Sequence, residues 1–298
     1  MGKALAEAFQ PAREAFQEVD DALSQKLSRL MWEGPESELT LTENAQPAIM
    51  AASLAIIRVL VKDGGLALTR HARLVAGHSL GEYSALCASG AFTLAQTARL
   101  LKIRGQAMQA AVAVGEGAMI ALIGADIQTA EAVAKDAAAE GGVCVVANDN
   151  APGQVVLSGS KDAMDRVGEI AKAKGVKRVI ALSVSAPFHC PLMQPAADAM
   201  REALAKVPIR PLAVPVLANV TASETAEPET VRRLLVEQVT GRVRWRESML
   251  ALKGLGVDTT VEMGGGKVLT GMVKRIDKDL QTLTLDTPEE IETFAKAL

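Results

Sequence analysis

Apolar residues recur at helical spacing from the start of the chain. Leu5, Phe9, Phe16, Val19, Leu23, Leu27 and Leu30 predict helix over residues 3–31, interrupted at Pro11. A polar stretch over 34–44 reads as a loop. Pro47 then fits the first turn of an apolar helix that runs to about Val61 and is closed by Gly64-Gly65. Residues 73–77 form a short apolar run that reads as a buried strand, and good helix formers follow Gly81. A capping box, Thr93-Leu94-Ala95-Gln96, opens a helix with Leu94, Ala98 and Leu101 on one face and Arg104 near its far end.

From Gly117 the pattern changes to strand 119–123, helix 127–139, strand 143–147, strand 154–158, helix 161–174 and strand 177–182. That βαββαβ order is ferredoxin-like and self-contained enough to be an inserted subdomain, residues 116–186. Beyond it the pattern gives helix 195–206, strand 215–219, helices 228–239 and 246–255, strand 259–262 and helix 266–276. The expected large domain is therefore α/β and discontinuous, residues 1–115 with 187–298, and no internal repeat is visible.

Composition narrows this picture. A chain of 298 residues can bury a large core, and abundant alanine with few aromatics suits helices packed closely on a sheet. A formal charge of −3 argues against a general nucleic-acid binder. The first 20 residues are charged and amphipathic, unlike a signal peptide, and the longest apolar run, 48–57, is broken by Ser53 and ends at Arg58. That is short of the roughly 20 residues a membrane span needs, so the expectation is a soluble, cytoplasmic protein without membrane contact. Cys87, Cys144 and Cys190 have no metal spacing, and their odd number suits a reducing compartment. Asn219-Val220-Thr221 is a glycosylation sequon by letters only.

Candidate chemistry centres on Gly77-His78-Ser79-Leu80-Gly81, a G-x-S-x-G pattern between the predicted strand and helix. Ser79 would sit on a strained strand-to-helix turn with its hydroxyl exposed. Glycine is expected on both sides because a β-carbon there would meet the neighbouring strand and helix. The amide of Leu80 would supply half of an oxyanion hole.

An activated serine needs a base, and the chain has three histidines. His71 lies about eight residues before Ser79, which at roughly 3.3 Å per extended residue removes it by over about 20 Å. His78, adjacent to Ser79, should point elsewhere and pack. His189, in a loop after a predicted strand, is the geometrically open candidate. Arg104 is a solvated helical residue on bland reading, but beside a serine nucleophile its guanidinium would select an acyl group ending in a carboxylate. Gly264-Gly265-Gly266-Lys267-Val268 fails as a phosphate loop, having Val where Ser or Thr is needed. Gly115-Glu116-Gly117 lacks the third glycine of a dinucleotide turn.

Together these segments resemble the malonyl-CoA:acyl carrier protein transacylases of bacterial fatty acid synthesis. The matching stretches are Gly77-His78-Ser79-Leu80-Gly81-Glu82-Tyr83, Ile103-Arg104-Gly105-Gln106-Ala107-Met108, Asn148-Asp149-Asn150-Ala151-Pro152-Gly153-Gln154, Pro187-Phe188-His189, Gln238-Val239-Thr240-Gly241 and Gly265-Gly266-Lys267-Val268-Leu269-Thr270-Gly271. The resemblance implies an α/β-hydrolase-like parallel-sheet core with a ferredoxin-like insert. It implies Ser79 as nucleophile, His189 as acid and base, Arg104 as clamp for the malonyl carboxylate, and Gln238 as the residue whose backbone carbonyl orients the histidine. A neutral carbonyl suits that place, since a buried carboxylate would repel the malonyl group. Phe188 resembles the bulky residue that leaves no room for a 2-methyl branch.

The implied reaction is ping-pong transfer from malonyl-CoA to the phosphopantetheine thiol of acyl carrier protein, with no metal or tightly held cofactor, the CoA thioester being a substrate. A monomer is the expected unit. Arg242, Arg244, Arg246, Lys274 and Arg275 are candidate docking points for an acidic carrier.

One departure stands out. Family members begin with an apolar strand and a Gly-Gln-Gly-Ser-Gln loop whose first Gln amide completes the oxyanion hole, and this sequence opens at Met1-Gly2-Lys3 instead. The expectation is a start placed at an internal methionine, with about a dozen further residues in the native protein. Two other readings stay open. A serine esterase or thioesterase would draw a triad carboxylate from Asp149, Asp162 or Asp165, all in the predicted insert. A truncated paralogue would bind carrier with little turnover.

Overall fold

Three helices, Lys3–Ala8, Gln10–Leu23 and Leu27–Glu33, occupy the region predicted as one in a computed structural model that describes residues 1–298. Phe9 is extended, and Pro11 falls in the first turn of the second helix, where its absent amide has no partner to lose. The expected loop over 34–44 contains a helical turn, Glu36–Leu39. The long apolar helix is Thr42–Lys62, so Pro47 lies inside it rather than in its first turn. The polar residues Thr42, Glu43 and Asn44 concealed that start. By length and composition this helix could cross a bilayer, but 67% of its most apolar window is buried within the fold.

Helices 42–62, 10–23, 194–205 and Leu94–Ala111 pack around a core of 41 buried side chains. Alanine makes the close packing possible: Ala12, Ala15, Ala48, Ala55 and Ala98 are fully buried. Gly105 extends the same principle. A β-carbon there would lie 2.5 Å from Glu43 Cα, so only glycine lets helix 94–111 come this near the start of helix 42–62.

The strands of the large domain are parallel where helices separate them. Val75–Ala76 pairs with Val216–Ala218, and Thr259–Met263 pairs with Gln281–Leu285. Ser223–Thr225 adds an antiparallel edge. No ladder joins Val75–Ala76 to Thr259–Met263, so this sheet consists of two hydrogen-bonded pieces. Strands 223–225 and 281–285 were not read from the sequence, nor was the final helix Pro288–Ala295 with its Thr287–Glu290 capping box.

A separate antiparallel sheet has the spatial order Cys144–Ala151, Gln154–Ser160, Gly117–Ile123, Arg178–Ala181. Helices Ile127–Ala138 and Lys161–Ala173 pack against it over a second core that includes Leu122, Val133, Leu157 and Val167. The βαββαβ order is the one read from the sequence. Its long strand 144–151 reaches back to the large domain, where the Asp149 amide donates to Val243 O at 3.0 Å and the Val243 amide to Ala147 O at 2.8 Å.

Candidate active site

Strand 75–76 feeds a sharp turn into helix Leu80–Ala88, and Ser79 takes the turn at φ 53°, ψ −111°. A non-glycine residue there stores about 1–3 kcal/mol of strain and must be held by its surroundings. Asn219, at the carboxyl end of strand 216–218, does the holding. Its Nδ2 donates to Gly77 O at 2.8 Å, and its Oδ1 accepts the Ser79 amide at 2.7 Å. A β-carbon on Gly77 would sit 1.9 Å from the Gly81 carbonyl oxygen, whereas one on Gly81 would meet nothing within 4 Å. The steric requirement for glycine therefore applies at Gly77 alone, and the obstacle is the backbone of Gly81 itself. Leu80 is the first helical residue, so its amide has no carbonyl one turn back and remains free to donate.

His189 arrives from the loop after strand 178–181, also with a left-handed backbone, φ 56°. Its Nε2 lies 2.8 Å from Ser79 Oγ, and its Nδ1 lies 2.9 Å from Gln238 O and 3.2 Å from Gly241 O. Carbonyl oxygens only accept, so Nδ1 carries the proton and Nε2 faces the serine with its lone pair. Burial, followed by the positive charge of Arg104, pushes the imidazole down from its ordinary 6.5 to about 3. The ring is thus neutral, with Nε2 free to accept a proton.

Arg104 is 1% exposed. Its Nη1 donates to Gln46 Oε1 at 2.7 Å, and Nη2 to Gln238 Oε1 at 3.0 Å and Ser79 Oγ at 3.1 Å. Nε is buried without a partner. The ring of Tyr83 lies 5.7 Å below the guanidinium. No carboxylate touches it: every acceptor it has is neutral, Glu82 acts on it only from a distance, and burial lowers its basicity.

Ser79, Leu80, Arg104, His189 and Gln238 thus converge on one point, and Phe188 precedes the histidine, partly buried between the main core and the inner face of the antiparallel sheet. His71 is exposed, its Nδ1 accepting the Ala67 amide. His78 meets Asn150 Oδ1 through Nε2 at 2.8 Å and packs on Trp245. Sequence reasoning missed Gln46, Asn219 and Glu82. Asn219 stood at the end of a predicted strand, the usual edge of a binding crevice in parallel sheets, but its sequon letters pointed to other chemistry.

Asp162 and Asp165 lie on helix 161–173, and Asp149 is occupied by Arg246, so none reaches His189 as a triad acid. Of the basic residues considered for docking, Arg242 pairs with Glu131, Arg244 with Glu247 and Arg246 with Asp149, while Arg275 donates to Gln154.

Known proteins resemble the chain along its whole length. The acyl transferase domain family matches residues 1–285. The malonyl CoA-acyl carrier protein transacylase of Bacillus subtilis is 42% identical over 298 residues, covering 100% of this chain and 92% of the relative. The crystal structure of an acyl-carrier-protein-S-malonyltransferase from Bartonella henselae superposes with a TM-score of 0.97 at 55% identity, covering 100% of this chain and 94% of the other. A malonyl-transacylase solved in complex with its type II PKS acyl-carrier protein has a TM-score of 0.95 at 40% identity, covering 100% and 95%.

Proposed function

The chain belongs to the acyl transferase domain family, and on that premise we propose that it transfers malonyl from malonyl-CoA to the phosphopantetheine thiol of acyl carrier protein. The observation that carries this reading is Arg104, buried, lacking a carboxylate, and 3.1 Å from the nucleophilic oxygen. A malonyl carboxylate completes it, exchanging neutral acceptors for a charge-assisted pair.

In this scheme Ser79 Oγ gives its proton to His189 Nε2 and attacks the thioester carbonyl. The developing oxyanion is stabilised by the Leu80 amide and the start of helix 80–88. The C–S bond then breaks, and His189 returns the proton to the departing CoA sulfur. The carrier thiol gives its proton to His189, attacks the malonyl-serine ester, and Ser79 Oγ recovers the proton as it leaves. Gln238 fixes the histidine through its backbone carbonyl, and Phe188 shuts out a 2-methyl branch. Docking of the substrate carboxylate on Arg104 offsets the charge that depresses His189, raising its basicity as the proton arrives.

The scheme draws on no metal or tightly held cofactor and fits a cytoplasmic enzyme. We assign residues 116–186 to a subdomain inserted between 1–115 and 187–298. Intact-mass measurement after mixing with malonyl-CoA tests the reading: a malonyl adduct on the native sequence, absent from Ser79→Ala, supports it. An adduct that persists in Ser79→Ala would refute it.

A further inference from the structure

Glu82 sits in the first turn of helix 80–88 and is 2% exposed. It forms no ion pair. Its Oε2 accepts the Asn219 amide at 3.1 Å and Gln238 Nε2 at 2.7 Å, while Oε1 accepts from no protein group. Both donors belong to residues that shape the site. Asn219 holds the Ser79 amide, and Gln238 spans Arg104 on its Oε1 side and the Ser79 carbonyl on its Nε2 side, at 3.0 Å. A single side-chain amide therefore links the buried acid to the buried guanidinium.

The surroundings offer Glu82 no other balancing charge. Helices 42–62 and 94–111 and strands 75–76 and 216–218 pack around helix 80–88. From helix 94–111 the charged group facing it is Arg104, and Tyr83 and Cys87 are the other titratable side chains on its own helix. On helix 42–62, Glu43, Arg58 and Lys62 are taken up at the surface by Lys102, Glu18 and Glu14, and the two strands carry no titratable side chain.

We propose that Glu82 is the resident anion of the acyl site, balancing Arg104 while the site is empty and taking up one proton when a carboxylate-ended acyl group docks on that arginine. This rests on the malonyl reading above. Two carboxylates would otherwise share the field of one buried guanidinium, and like charges so placed do not both stay ionised. The proton comes from solvent and binds Oε1, leaving Asn219 and Gln238 on Oε2 and the catalytic geometry intact. Burial already pushes this carboxyl up from 4.5 to about 7, within reach of such a switch. Glu82 is accordingly a positioning residue whose charge state follows occupancy.

Calorimetric titration of the Ser79→Ala protein with malonyl-CoA at about pH 8, in two buffers of different ionisation heat, reads the proton directly. CoA alone serves as control for its own phosphates. The expected excess of malonyl-CoA over CoA is about half to one proton per site, lost when Glu82→Gln is added while malonyl-CoA still binds. Equal uptake from both ligands, or an excess that survives Glu82→Gln, overturns the proposal. Failure of malonyl-CoA to bind the Ser79→Ala protein is a separate result that removes the functional reading beneath it.

Should Glu82→Gln not fold, carboxyl-13C NMR of glutamate-labelled Ser79→Ala protein provides the same test. One glutamate midpoint near 7 should move upward when malonyl-CoA saturates the site, and an unmoved midpoint overturns the proposal.

Discussion

Two arginines divide the molecule between work and scaffolding. Arg246 lies where the antiparallel sheet meets the large domain, and its Nε and Nη2 grip the buried Asp149 at 2.8–3.0 Å. Arg104 lies deeper, yet has only the side-chain oxygens of Gln46, Gln238 and Ser79. A guanidinium with its own carboxylate is finished and serves the fold. One buried among neutral acceptors, with the nearest carboxylate, Glu82, reaching it only through the Gln238 side chain, keeps room for an anion in direct contact, and a ligand can supply it. The lesson is that the missing partner, more than the depth of burial, marks the functional charge.

The hardest way to break this comparison is at the base beside Arg104. His189→Ala should slow acyl-serine formation by about 10³–10⁴-fold or more in single-turnover mass spectrometry, a loss larger than its cost in stability. Asp149→Ala should do the reverse. Removing the acid strands Arg246, lowering stability by about 1–3 kcal/mol in urea unfolding, because a quarter of that side chain is exposed, with the preference for malonyl over acetyl unchanged.

pH sharpens the contrast, since the titrating groups belong to the working region. His189 falls from 6.5 to about 3 on folding, so the unfolded chain binds the extra proton between those values. Its contribution is full above pH 6.5 and is lost as pH falls toward 3. Glu82 rises from 4.5 to about 7, so its contribution is full below pH 4.5 and is lost as pH climbs to 7. The two slopes oppose each other between 4.5 and 6.5, so the readout is the difference in urea unfolding between Glu82→Gln and the native sequence. It should shift in favour of the variant as pH climbs from 4.5 to 7, while the acid-side decline set by His189 persists in both. The smallest effect is at Phe188. Phe188→Ala should raise acylation by a 2-methyl-malonyl thioester relative to malonyl by about 10-fold in competition, since one pocket methyl discriminates only modestly.

Most of the fold was legible because its signals are local. Capping at Thr93, the G-x-S-x-G turn and the strand and helix periods of 117–181 each announce themselves within a few residues. Helix boundaries near Phe9 and Thr42 were less so, because Pro11 and Pro47 fit either side of a helix start. Strands 223–225 and 281–285 are short or exposed on one side and carry little apolar pattern.

At the site, Ser79, His189 and Arg104 could be named from motif, elimination and resemblance. Glu82, Gln46 and Asn219 could not. Their importance lies in hydrogen bonds across 58 to 156 positions of sequence, which no local pattern encodes.

Arg104 is poised to meet a substrate carboxylate, and the rate of acyl-Ser79 formation tests this most directly. The native sequence is mixed at equal concentration with malonyl-CoA or acetyl-CoA and followed by intact mass. The unpaired guanidinium predicts malonyl ahead by at least about 100-fold, the worth of a buried charge-assisted pair. Equal rates for the two thioesters would contradict it.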